Sequence, residues 1–299
     1  AFPSNTARSG VLYPIVYGLA HDCGSKVGDN THKKAGSYLM MTSMAGLTVS
    51  SSLWLTAMAV NPVGVEIASK MGIHITFGLW LLYALIPTLA AFFLIPWFLY
   101  RIYPPELKDT PEAPEKAREA LSVMGPISRN EWITGSVFLG MLLLWSLSGI
   151  FPIDKAAVAF GGLGILMATR VFGIDDFRSQ GEALSTLIWF AILFALSTQL
   201  AEQGFMSAVA KHFTLYLDGF SWIGVYILLI IVYVLIHYLF VSQSAHLLAL
   251  YGIFLSVGIS AGVPGVLMAM RLLFATNFNA TVTPQGSSCN AIYLSSGYI

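Results

Sequence analysis

Residues 75–100 contain no charged side chain. A helix crosses the hydrocarbon core of a bilayer with about 20 apolar residues, so this run alone is long enough to span one. Comparable apolar runs cover 36–60, 132–151, 156–172, 184–200 and 223–240, then 247–257 and 266–299. Inside lipid every backbone N–H and C=O must find its partner within the protein, which favours helices. The composition agrees: 56% of the 299 residues are hydrophobic and 10% are charged, against about 25% charged in soluble domains. The expectation is an all-α membrane protein. Its formal net charge is zero, which gives no footing for nucleic acid. The expected partners are lipid and a small solute. Cys23 and Cys289 stand in neither a metal-like nor a disulfide-like neighbourhood.

Two segments read differently. Residues 101–130 mix Arg101, Lys108, Lys116, Arg118 and Arg129 with acids and prolines, and 112–121 suits a short amphipathic surface helix. Residues 205–220 carry Lys211, His212 and Asp218 among apolar neighbours and suit a second one. Basic loops lie on the cytoplasmic side. Counting helices outward from residues 101–130 puts Lys26, Lys33, Lys34, Arg170 and Arg178 inside, and Lys70, Asp154 and Lys155 outside.

The informative feature is a repeat. Phe2-Pro3-Ser4-Asn5-Thr6-Ala7-Arg8 matches Phe240-Val241-Ser242-Gln243-Ser244-Ala245-His246, and Leu12, Tyr13 and Ile15 match Leu250, Tyr251 and Ile253 at the same offset. A weaker echo follows each copy, Thr48-Val49-Ser50 and Thr281-Val282-Thr283, and each interrupts an apolar run; Pro284 adds a break signal to the second. Polar breaks at matching points of two halves mark transporter binding sites. The loop count sends the helix after the first motif inward and the helix after the second outward. The repeat is therefore expected to be inverted, with two re-entrant hairpins, two broken helices, and hairpin tips that meet near the midplane. Residues 1–130 would form the C-terminal part of repeat one: hairpin tip, broken helix, spanning helix and cytoplasmic surface helix. Residues 131–299 would form repeat two: three spans, a surface helix, the second hairpin and the second broken helix. By the same count the chain is expected to be a fragment, without the N-terminal part of repeat one and without the last helix.

These tips suit an anion. Helix N-termini present free N–H groups and a partial positive charge, and Ser, Thr, Asn and Gln add neutral donors. Ser4, Asn5 and Thr6, facing Ser242, Gln243 and Ser244, could hold the two ends of a dicarboxylate. Arg8 and His246 occupy matched positions just beyond the tips, where ionisable residues in a membrane are functional by default. Backbone carbonyls exposed at the breaks, with Asn and Ser oxygens, suit a cation. Ser, Asn and Thr also cap helices without any ligand; the matched pair of tips is what favours function. No metal-ligand spacing, Gly-x-Ser-x-Gly string or paired intramembrane aspartates point to an enzyme.

The string Pro3-Ser4-Asn5-Thr6-Ala7-Arg8-Ser9-Gly10 resembles the Ser-Asn-Thr motif of the divalent anion:sodium symporter family. The second motif resembles the variant found in its 2-oxoglutarate/malate translocator and citrate or tartrate/succinate antiporter branch, and Asn290-Ala291-Ile292 with Ser296-Gly297-Tyr298 resembles the stretch after the second broken helix. The resemblance implies a homodimeric elevator-type carrier of di- or tricarboxylates such as malate, succinate, 2-oxoglutarate or citrate. It implies Ser4, Asn5, Thr6, Ser242, Gln243 and Ser244 as substrate ligands, and Ser4, Asn5, Ser51, Gln243 and Ala280 around any sodium. Sodium-coupled members carry Asn where Gln243 stands and Thr where Tyr238 stands. The departure favours dicarboxylate exchange without a cofactor over the alternative, sodium-coupled symport. The expected location is the bacterial inner membrane, with the plastid inner envelope as the alternative.

Overall fold

The computed structural model of the chain describes residues 5–28, 30–110, 113–147, 154–179, 188, 191–192, 195–196, 199–200, 202–217, 219–240, 242–281, 283 and 286–299. Among these residues all regular structure is helical. Among the described residues two helices are long and apolar enough to cross a membrane, Phe77–Ile102 and Gln243–Ser260. Shorter apolar helices are Ala156–Ala168, Trp222–His237 and Gly265–Phe278. The expected surface helices run over Ala113–Met124 and Phe205–Tyr216. Much of the expected span at 184–200 lies outside the described residues, as do Ser4, Val282 and Pro284.

Phe77–Ile102 shows what environment the chain is built for. Leu82, Ile86 and Phe93 on this helix are 69%, 77% and 75% exposed. A continuous apolar face of this kind marks a surface meant for a partner or a membrane.

By packing, the described residues fall into two compact units. One comprises Ala1–Ile75, Leu79–Lys108 and Ile192–Ile299; the other comprises Thr76–Gly78 and Asp109–Ala191. This division follows packing rather than the repeat boundary at residue 130. The motif helix Asn5–Asp22 packs on Gly36–Leu53, while Gln243–Ser260 packs on Gly265–Phe278 and Val60–Lys70. Segments of both sequence halves thus share the first unit. Met40, Leu47, Tyr293 and Tyr298 belong to one buried cluster there. The Tyr298 hydroxyl donates to the Ser25 carbonyl at 2.6 Å, and its ring lies where a Cβ on Gly36 would sit. In the second unit, Arg129–Leu147 begins with a reciprocal cap between Ser128 and Glu131. Lys155–Ala168 begins with Asp154 accepting from the Ala157 N–H at 2.7 Å.

At each stretch expected to hold a broken helix, a helix is followed by a 3-10 turn and then a further helix. Gly36–Leu53 is followed by Leu55–Ala57 and Val60–Lys70; Gly265–Phe278 is followed by Asn279–Thr281 and Ser288–Leu294. The first break is displaced from the sequence expectation. It was expected at 48–52, but the helix runs on to Leu53. Hydroxyls that suggested an interruption turn back onto their own helix instead. Thr48 bonds the Met44 carbonyl, Ser50 that of Leu47, Ser51 that of Thr48, and Ser52 that of Val49. Such back-bonding keeps a polar side chain satisfied within a continuing helix.

Candidate substrate-binding site

The two motifs are in contact. Asn5 Nδ2 donates to Gln243 Oε1 at 2.9 Å, across a separation of 238 residues, and both side chains are buried. That separation is the offset of the sequence repeat, so matched positions of the two motifs touch. Gln243 has no free polar group: Oε1 also accepts from Ser287 Oγ at 3.2 Å, and Nε2 donates to the Thr276 and Asn277 carbonyls at 2.9 and 3.4 Å. Ser242 and Ser244 flank it and are half-buried. Ser242 is the N-cap of Gln243–Ser260 but makes no side-chain cap bond. The first N–H groups of that helix have no intrahelical acceptor. The second tip therefore offers hydroxyl and backbone donors, with Gln243 held behind them. At the first tip Ser4 lies outside the described residues, and Thr6 is described for its backbone alone.

Arg8 ties the first tip to the first break. Nη1 donates to Ser50 Oγ at 2.6 Å, and Nη2 donates to Asn5 Oδ1 and to the Ala57 carbonyl, the latter at 3.1 Å. All three acceptors are neutral. The guanidinium is held firmly, and none of these partners cancels its charge. The matched residue, His246, is fully buried in a different setting. Its ring packs on Tyr233, His237 and Phe240, with centroid distances of 4.2, 4.9 and 5.2 Å. His237 Nε2 pairs with the Gly286 carbonyl at 3.0 Å. The sequence match therefore places one cation beside the tips and one imidazole in an aromatic cage.

The breaks were expected to hold cations through Ser51 and Ala280. Each anchors an asparagine to which the sequence analysis gave no role. Asn61 Nδ2 donates to the Ser51 carbonyl at 3.0 Å, and Asn290 Nδ2 donates to the Ala280 carbonyl at 2.5 Å and to the Thr283 carbonyl at 2.8 Å. Trp80 Nε1 takes up the next freed carbonyl, that of Ser52, at 2.9 Å. Ser51 Oγ donates to Asn277 Oδ1 at 2.7 Å, and Asn277 Nδ2 donates to Asn61 Oδ1 at 2.9 Å. Asn61 and Asn290 follow the marked break residues at the same interval, a spacing that could have identified them.

The oxygens expected around sodium are mostly engaged. Asn5 Oδ1 faces Arg8, Gln243 Oε1 takes two donors and the Ala280 carbonyl takes Asn290, whereas Ser51 Oγ is itself the donor toward Thr48 and Asn277, and Ser4 lies outside the described residues.

A family profile described as the sodium:sulfate symporter transmembrane region matches residues 1–299. Dicarboxylate transporter 2, chloroplastic, of Spinacia oleracea is 38% identical, over 100% of this chain and 54% of the relative. The putative malate transporter YflS of Bacillus subtilis (strain 168) is also 38% identical, over 100% of this chain and 63% of the relative. The L-tartrate/succinate antiporter of Escherichia coli (strain K12) is 31% identical, over 99% of this chain and 61% of the relative. The chain thus spans between half and two-thirds of the length of these relatives.

Proposed function

The chain belongs to the divalent anion:sodium symporter family, a family of membrane transporters, and on that premise we propose that the protein carries dicarboxylates by exchange. The observation that carries this reading is Arg8, a guanidinium inside the helical body whose fork is held, among the described residues, by three neutral oxygens, beside the Asn5–Gln243 contact. Held there, its charge is available to an anion. One carboxylate of a substrate such as malate or succinate would lie against Arg8 and the first tip. The other would lie against the Ser242 and Ser244 hydroxyls and the N-terminus of their helix. Relatives named for dicarboxylates, malate, and tartrate and succinate support this substrate class.

Exchange is favoured over sodium symport because a fixed guanidinium already takes the Asn5 side-chain oxygen expected around a coupling cation. The two motifs and two breaks would sit in an inverted repeat and form the moving part of a homodimeric elevator. The membrane would be the bacterial inner membrane or the plastid inner envelope. Uptake of labelled succinate by the full-length protein in proteoliposomes tests the reading. The expected result is uptake that requires internal dicarboxylate and ignores a sodium gradient. Sodium-driven uptake into vesicles without internal substrate would restore symport. No dicarboxylate uptake by folded protein would overturn the substrate assignment.

A further inference from the structure

The hydrogen bonds around the tips close into a ring. Arg8 bonds Asn5 and Ser50; Asn5 bonds Gln243; Gln243 bonds the Thr276 and Asn277 carbonyls; the Asn277 side chain bonds Ser51 and Asn61. Asn61 then returns to the Ser51 carbonyl, next to the Ser50 that Arg8 holds. The circuit passes through both motif helices and both broken helices. Ser51, Asn61 and Asn277 are fully buried.

Among the described residues the tips themselves meet through one side-chain bond, Asn5 to Gln243. A single point of contact lets two helix ends pivot about it. The crossing made by Asn277 is a second point, and two points fix both distance and angle. The crossing is built from one side only. Asn277 Nδ2 bonds the carbonyl four residues back, Leu273, as the Thr48 hydroxyl bonds the carbonyl of Met44. That bond spends a threonine hydroxyl's one proton, whereas the asparagine amide has a further proton for Asn61 as well as an oxygen for Ser51.

We propose that Asn277, with Asn61 and Ser51, is a positioning element that sets the length of dicarboxylate the carrier accepts, by fixing the separation between the Arg8 side and the Ser242–Ser244 side of the site. This rests on the dicarboxylate reading above. A site with two rigid anion-holding ends accepts one spacing of carboxylates and rejects neighbours differing by a methylene. A site whose ends pivot accepts several.

The test is exchange of malonate, succinate and glutarate by the full-length protein in proteoliposomes, comparing Vmax/KM across the three. The unaltered protein is expected to prefer one length by at least about tenfold, the discrimination a methylene typically allows. Asn277→Ala is expected to flatten that preference to within about twofold, through a KM that falls for the disfavoured diacids relative to the favoured one. Asn61→Ala and the milder Ser51→Ala follow in that order, and they carry the test if Asn277→Ala does not fold. Variants that lose rate equally for all three diacids while keeping the preference would show a merely structural role and overturn the proposal. So would an unaltered protein that exchanges diacids without a length preference. An unaltered protein that exchanges no diacid would instead overturn the function proposed above.

Discussion

In the first broken helix Asn61 reaches back to the Ser51 carbonyl at 3.0 Å, and in the second Asn290 reaches back to the Ala280 carbonyl at 2.5 Å, each across 10 residues. The reason is common to both. A helix that stops inside an apolar body leaves carbonyls without N–H partners, and each orphan is costly. An asparagine early in the following helix is long enough to supply the missing donor. From there the breaks diverge. Ser51 has a hydroxyl and bonds Asn277, 226 residues away in sequence, while Ala280 has none. Asn290 gives its second bond to Thr283 of its own turn, while the oxygen of Asn61 accepts from Asn277. Through its asparagine the first break is tied outward, whereas Asn290 ties the second onto its own turn and leaves its outward bonds to Gly286 and Ser287, which meet His237 and Gln243. What keeps a break intact and what couples it to the rest are therefore separable, residue by residue.

The largest effect that separates them is expected at Asn290. Asn290→Ala leaves the Ala280 and Thr283 carbonyls without their donor, at about 1–3 kcal/mol each. Thermal unfolding of the detergent-solubilised protein should show the loss, and diacid length preference should not change. Asn61→Ala should also lose stability but should lose the length preference as well. If both variants behaved alike in both measurements, the distinction between the breaks would fall. Gly286→Ala comes next. An added Cβ there would stand 2.5 Å from the Ala280 carbonyl oxygen, a backbone atom that cannot swing aside. The cost is expected at about 1–3 kcal/mol, as for other overpacked sites. At Gly64, beside the first break, an added Cβ meets the Leu273 side-chain end at 2.3 Å, which can turn away, so Gly64→Ala should cost less. The smallest effect is expected from Trp80→Phe, which removes the donor to the Ser52 carbonyl. It should lower stability by about 1–2 kcal/mol while the ring still packs on Phe274.

The tips were legible in the sequence because they recur. Asn5 and Gln243 could be matched by offset alone, and they touch. The interior of the breaks was less legible. Thr48 to Ser52 read as an interruption, yet their hydroxyls are absorbed by back-bonding, and the helix ends only at Leu53. String similarity aligned Thr48 with Thr281, whereas the bonds align Ser51 with Ala280, a shift of about one helical turn. Asn61 and Asn277 went unmarked and Asn290 was marked only as part of the resembling stretch, because each bonds across a break or between segments distant in sequence. Arg8 and His246 matched by position but not by surroundings, since the neighbours that distinguish them, Ser50 and Ala57 against Tyr233 and His237, are distant in sequence.

The central claim is that the two motifs make one site through the contact between Asn5 and Gln243. A double-mutant cycle tests it most directly: Asn5→Ala, Gln243→Ala and the pair, each read as KM and Vmax for succinate exchange by the full-length protein. The account predicts a coupling of about 1 kcal/mol or more, because each single variant already removes the shared bond. Effects that add within about 0.5 kcal/mol would mean that the motifs act independently, and would contradict it.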